Sequence, residues 1–72
     1  MKLNYYPDTD SLYIELSEKT SAESQEIIEG VVVDVDSEGN LVGIDIDNAS
    51  KKLSLSELVV KKMPIVFQTI FA

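Results

Sequence analysis

The sequence predicts an α+β domain, in which an antiparallel β-meander of about four strands is followed by one short C-terminal helix and an apolar tail. Three observations predict it. First, short runs of alternating apolar and polar residues recur along the chain. Second, a cluster of turn-forming residues lies between the two runs of each pair. Third, the apolar spacing changes to a helical one after Ser50. The 72 residues have room for one domain, which we assign to 1–72, with the core at about 2–62 and the tail at 63–72.

The first hairpin is predicted from residues 3–6 and 12–16. In the second run Leu12, Ile14 and Leu16 alternate with Tyr13 and Glu15, the period of a half-buried strand. Between the runs lies Pro-Asp-Thr-Asp-Ser, in which Pro fixes φ and Asp side chains accept hydrogen bonds from nearby backbone N–H groups. The cluster therefore predicts a turn.

The second hairpin is predicted from residues 31–36 and 41–47, joined by a turn at 37–40 in which Gly39 can adopt positive φ. Gly30, just before the first of these runs, indicates a bulge or a bend. Residues 17–25 are polar and without an apolar period, so they are predicted to form a loop or a solvent-facing edge. The four strands together predict a meander.

The helix is predicted from Ser54 onwards. The run Ser54-Leu55-Ser56-Glu57 matches a capping box, and Leu55, Leu58 and Val59 follow at helical spacing. Lys61 and Lys62 would lie in the last turn, where cations favour the helix dipole, and Pro64 would end the helix.

The tail is the most apolar piece of the chain, although a terminus is usually polar. Such a segment either adds a strand to the sheet or is buried in another subunit, because an exposed one would promote aggregation. We predict a homodimer with interface residues Ile65, Val66, Phe67, Ile70 and Phe71.

Composition restricts the function. Thirteen acidic residues against six Lys and no Arg give a net charge of -7, which argues against direct binding of nucleic acid and favours a basic protein partner. With no Cys there is no disulfide and no thiolate metal site, and with no His there is no usual activator for a Ser nucleophile. The sequence therefore predicts no enzyme, no catalytic residue and no cofactor. Without a secretory signal or a run of ~20 apolar residues, it also predicts a cytoplasmic protein away from membranes.

One acidic turn offers an alternative function. Asp34, Asp36 and Glu38 stand at alternate positions before Gly39, as at the opening of a calcium loop. However, Asp45 stands where a bidentate Glu would close that loop, and both flanks read as strands rather than helices. An acidic hairpin turn explains the same residues, and weak cation or small-ligand binding at 34–38 is the alternative to an interaction module.

Two carboxylate pairs, Asp8 with Asp10 and Asp45 with Asp47, have the composition of a general acid–base site. Such a site needs one carboxyl whose pKa is shifted by burial. Turn carboxylates and alternating strand aspartates are usually solvated, so both pairs are interpreted as structural.

Three stretches together resemble a small prokaryotic family, known as domain of unknown function 2283. Residues 6–16, YPDTDSLYIEL, are similar to its opening pattern Tyr-Asp-x-Glu-x-Asp-x-Leu-Tyr-Ile. The centre agrees through GVVVDVD at 30–36, GNLVGIDI at 39–46 and Ala49-Ser50-Lys51, so the resemblance runs from about Lys2 to Leu58. It implies no established activity and no site residue. It also implies, for some members, an antitoxin-like pairing with a small basic toxin.

Overall fold

The structure is a computed structural model that describes residues 1–64. In this part, five strands form one antiparallel sheet in the order β1-β2-β5-β4-β3, and one short helix, α1, follows the last strand. The elements are β1 Lys2–Tyr6, β2 Ser11–Glu15, β3 Glu23–Ile28, β4 Val31–Val35, β5 Leu41–Ile46 and α1 Ala49–Lys52.

Both predicted hairpins are present. In the first, β1 pairs with β2, so that Tyr5 lies opposite Leu12. In the second, β4 pairs with β5, and Val33 lies opposite Ile44. Gly39 adopts the expected positive φ, at 83°, in the turn between β4 and β5.

The number of strands and their order differ from the predicted four-stranded meander. The additional strand is β3, which pairs with β4 at an edge of the sheet and leaves all six of its residues exposed. An edge strand packs against only one neighbouring strand. A polar stretch can therefore form an edge strand even though its apolar residues do not alternate with polar ones. Gly30, with φ of 76°, forms part of the turn between β3 and β4, whereas the irregularity in register lies between Glu26 and Ile28.

The meander fails because β2 pairs with β5, whereas the next strand in sequence lies at the far edge. This order places β5 at the centre of the sheet, between β2 and β4. Ile46 then lies between Leu12 and Val31, so its side chain has an apolar neighbour on both sides. A central position for the apolar β5 buries more hydrocarbon than a meander order with β5 at an edge.

The predicted helix at Ser54 is wrong. The helix is Ala49–Lys52, which begins five residues earlier, and the segment 53–64 contains no helix. The capping box has two Ser and the β-branched pair Val59-Val60 close after it, all weak helix formers, and a helix this short needs packing to form. Lys51 and Lys52, rather than Lys61 and Lys62, are the basic residues of the last turn.

The core is small and lies where α1 meets the sheet. Leu12, Ile46 and Ala49 are buried together, with Ile14, Val31 and Ile44 packed around them. Ala49 is fully buried because its methyl group lets the helix approach the strands closely. In the described residues the only other buried side chain is that of Val42, on β5.

Candidate functional site

Asp10 joins the first hairpin to the helix. Its backbone is left-handed, with φ of 53°, and its carbonyl accepts a hydrogen bond from Ala49 N at 2.8 Å. Its carboxylate accepts hydrogen bonds from Ser50 N at 3.1 Å, Ser50 Oγ at 2.7 Å and the Tyr5 hydroxyl at 2.7 Å. Because Asn48, the N-cap residue, makes no side-chain cap, Asp10 satisfies a helix N–H from a distant turn. The contacts give Asp10 a structural role, and Asp8 is not part of them.

The hydrogen bonds from Ser50 and Tyr5 lower the pKa of Asp10 below its ordinary value of 3.8. A lowered pKa in the folded state means that the ionised carboxylate stabilises the protein above pH ~4, and that this contribution is lost as the pH falls through the lowered pKa. A general acid needs the opposite shift.

We therefore expect Asp10→Asn, which tolerates the left-handed backbone, to lower the melting temperature at pH 7. The difference from wild type should shrink as the pH falls below 4, where wild-type Asp10 becomes protonated. Thermal melts by circular dichroism between pH 7 and pH 2 measure this, with Asp8→Asn as the matched control. Equal melting temperatures for wild type and Asp10→Asn at pH 7 would contradict it.

A second hydrogen-bonded chain crosses one face of the sheet. The Tyr13 hydroxyl on β2 donates to Asp34 Oδ2 on β4 at 3.0 Å, and Ser24 Oγ on β3 donates to Asp34 Oδ1 at 2.6 Å. The phenol reaches Asp34 by lying over Gly43 of the intervening β5, where any Cβ would overlap it. Burial, and then the neighbouring Asp34, raise the pKa of Tyr13 above 10.0. These contacts tie β2, β4 and β3 together across β5.

Asp45 is half-buried on this same face, beside Tyr13 in the β2–β5 register. Burial, and then the charges of Asp47 and Asp34, raise its pKa above 3.8. A raised carboxyl pKa means that ionisation disfavours the folded state at pH values above it. Below the ordinary value the group is protonated in both states and contributes nothing.

We accordingly expect Asp45→Asn to raise the melting temperature at pH 7, with the gain vanishing below pH ~4. Asp47→Asn, at an exposed position two residues later, should give a smaller gain, because it removes only part of the repulsion. A lower melting temperature for Asp45→Asn at pH 7 would show that the ionised carboxylate is needed by the fold.

The acidic turn distributes its carboxylates among different partners. Asp36 accepts hydrogen bonds from the backbone N–H groups of Asn40 at 2.8 Å and Glu38 at 2.9 Å, and these contacts, that from Asn40 most, lower its pKa. Asp34 points to Tyr13 and Ser24 instead. Across residues 1–64, no three acidic side chains form a group that could hold a metal ion.

The opposite face of the sheet forms an apolar groove. Its volume is about 680 Å³, within the ~300–1,000 Å³ typical of binding pockets. One wall is the β1–β2 hairpin and the other is the segment that follows α1, and the main lining residues are Leu3, Leu12, Ile14, Leu53, Leu55 and Leu58. Leu58 is 69% exposed at the rim, and Leu3 is 51% exposed.

Sequence reasoning missed this groove because it assigned 54–62 to a helix. The signal that was present is the density of large apolar residues after α1. Six of them are exposed: Leu53, Leu55, Leu58, Val59, Val60 and Met63. The predicted interface residues Ile65, Val66, Phe67, Ile70 and Phe71 lie outside the described residues.

Charge is distributed unevenly over the fold. Residues 18–47, which include β3, β4 and β5, contain nine of the 13 acidic residues and only one of the six Lys. Residues 1–17 and 48–64, with four acidic residues and five Lys, therefore form a nearly neutral half that contains the groove.

Within residues 1–64 no helix is long and apolar enough to cross a membrane. The sheet, the groove and the charge distribution define a small antiparallel-sheet protein with one acidic half and one nearly neutral half that contains an apolar groove. The family model described as "Protein of unknown function (DUF2283)" matches residues 2–50, and the chain belongs to this family. The resemblance stated from the sequence is thus confirmed, although the match ends at Ser50 rather than Leu58. No curated protein and no solved structure matches the chain significantly.

Proposed function

We propose that this chain is a non-enzymatic protein-interaction module that forms a homodimer and presents its acidic half to a basic protein partner. The observation that carries the proposal is the exposed apolar surface. Six large apolar residues between Leu53 and Met63 are exposed beside an open apolar groove. Exposed apolar surface of this extent on a small protein usually marks a contact with another chain.

Association also fits the stability that a chain of this size requires. Four buried side chains in the described residues form a very small core, and the sequence has no Cys for a disulfide. Domains this small usually need a disulfide, a metal or a partner subunit. Burying the groove and the apolar residues after α1 against a second copy would supply that reinforcement.

The charge distribution supports a basic partner. Nine acidic residues and one Lys within residues 18–47 give that half of the sheet a strongly negative potential, which attracts and orients positively charged proteins. An antitoxin-like pairing with a small basic protein is the form of partnership we propose.

The contacts of the carboxylates support a non-enzymatic role. Asp10 and Asp36, both with lowered pKa, bind backbone N–H groups of their own chain, and Asp34 binds Tyr13 and Ser24. These carboxylates hold the fold together. Their hydrogen-bonding capacity is largely used within the chain.

Light scattering of the full chain and of a chain ending at Met63 tests the proposal. We expect the full chain to have twice its 8.0 kDa mass, and the shortened chain to be monomeric or insoluble. Full-length Gln68→Ala, a change at a polar tail position, should remain dimeric. A monomeric mass for the full chain at all concentrations would refute the homodimer.

A further inference from the structure

We infer that residues 65–72 of one copy occupy the apolar groove of a second copy, so that the dimer forms by reciprocal exchange of tails. This inference rests on the proposed homodimer and adds the receptor for the tail. The groove is open to solvent along its rim, and most of its lining is apolar: five leucines, Ile14 and Tyr5, beside the three polar residues Ser50, Ser54 and Glu57. A mainly apolar segment that enters from outside therefore suits it.

The chain itself contains a segment of this chemistry. Residues 65–72 read IVFQTIFA, with five large apolar residues and no charge. The two Phe of each tail would bury roughly 150–250 Å² apiece, so two exchanged tails would bury about 600–1,000 Å² through Phe alone. The aliphatic residues and the groove surfaces they cover bring the total into the range of a stable interface, about 1,200–2,000 Å².

The connection before the tail favours a second copy over the same copy. Lys62 is left-handed, with φ of 53°, although it has a Cβ, and Pro64 follows two residues later. A left-handed non-glycine residue stores backbone strain, and short strained hinges favour exchange between subunits because the hinge can extend in the dimer. In the exchanged dimer the turn at Lys62, three residues before the tail, would extend in this way.

A single tryptophan reports on the position of the tail, because the natural sequence has none. In full-length Phe67→Trp we expect a blue-shifted emission that resists acrylamide quenching at concentrations where light scattering shows a dimer. On dilution, the red shift of the emission and the loss of the dimer mass should occur together.

Groove variants in the Phe67→Trp background identify the receptor. Leu3→Lys and Leu58→Lys change exposed groove residues and should each give a solvent-exposed tryptophan and a monomeric mass. The matched control is Ile27→Lys, at a 59% exposed position on β3 at the other edge of the sheet, which should preserve both signals. Circular dichroism confirms that each variant is folded.

The hinge is tested separately. Lys62→Gly removes the cost of the left-handed turn in the monomer and should therefore raise the dimer dissociation constant at least about fivefold. Lys61→Gly, which makes the same change at a residue without positive φ, should leave the constant nearly unchanged.

The outcomes separate this inference from the proposed function. A dimer whose tryptophan is exposed, or is insensitive to Leu3→Lys and Leu58→Lys, would overturn the groove as receptor and leave the homodimer standing. A protected tryptophan in a monomer, independent of concentration, would mean that the tail fills its own groove, and both the exchange and the homodimer would be abandoned.

Discussion

Leu12→Ala is expected to lower the free energy of unfolding by about 2–5 kcal/mol, the cost of truncating a buried leucine. Leu12 is 8% exposed and lies at the centre of the one buried cluster in the described residues, against Ile46 and Ala49. With a total stability of only about 4–11 kcal/mol for a chain of this length, the loss removes a large share of the folding free energy. Urea denaturation followed by circular dichroism measures it.

Leu41→Ala is the matched control, because it makes the same chemical change at a residue that is 55% exposed on β5. Surface substitutions of this kind usually change stability by less than about 0.5 kcal/mol. If the two variants were equally destabilised, the core would not be centred on the contact between α1 and the sheet, and the buried cluster would need to be reassigned.

The elements predicted correctly are those whose signal is local. The alternation of Leu12 and Ile14 with polar residues, and the turn residues Pro7 and Gly39, determine two hairpins from short windows of sequence. The order of the strands could not be predicted this way. It depends on which strand of the second hairpin buries more apolar surface when it lies beside β2, and that contact is between residues far apart in the sequence. The helix was misplaced because a capping pattern is also local, whereas the helix at Ala49 forms through tertiary contacts from Asp10 and the core.

The sites show the same division. Asp10, Asp34 and Asp36 were recognised as candidate residues from their positions, but their partners were not, because Ser50 lies 40 residues from Asp10 and Tyr13 lies 21 from Asp34. The groove escaped prediction entirely, since its two walls are separated by the whole β3–β4–β5 unit. Gly43 was the one residue in the sequence that could have indicated a crossing side chain, because Gly inside a strand often marks a close approach.

Gly43→Ala is expected to lower the free energy of unfolding by about 1–3 kcal/mol, the range for adding a methyl group to an occupied site. The new Cβ would overlap the Tyr13 phenol and would also lie 3.1 Å from the Ile14 carbonyl oxygen, so Tyr13 must leave its position over β5. Its hydrogen bond to Asp34 would then be lost, and with it the link between β2 and β4.

The decisive comparison is the same substitution in a Tyr13→Ala background, measured by urea denaturation of all four variants. Without the phenol, Gly43→Ala should destabilise the protein much less, because only the Ile14 carbonyl oxygen remains close to the new Cβ. Ala is also intrinsically more stable than Gly inside a strand, by about 0.5–1 kcal/mol. A coupling of at least about 1 kcal/mol between the two positions would establish that Gly43 is required by the Tyr13 crossing. If the costs were simply additive, Gly43 would instead be required by the backbone of β5 alone, and the chain of contacts from Tyr13 to Ser24 would contribute little to holding the sheet.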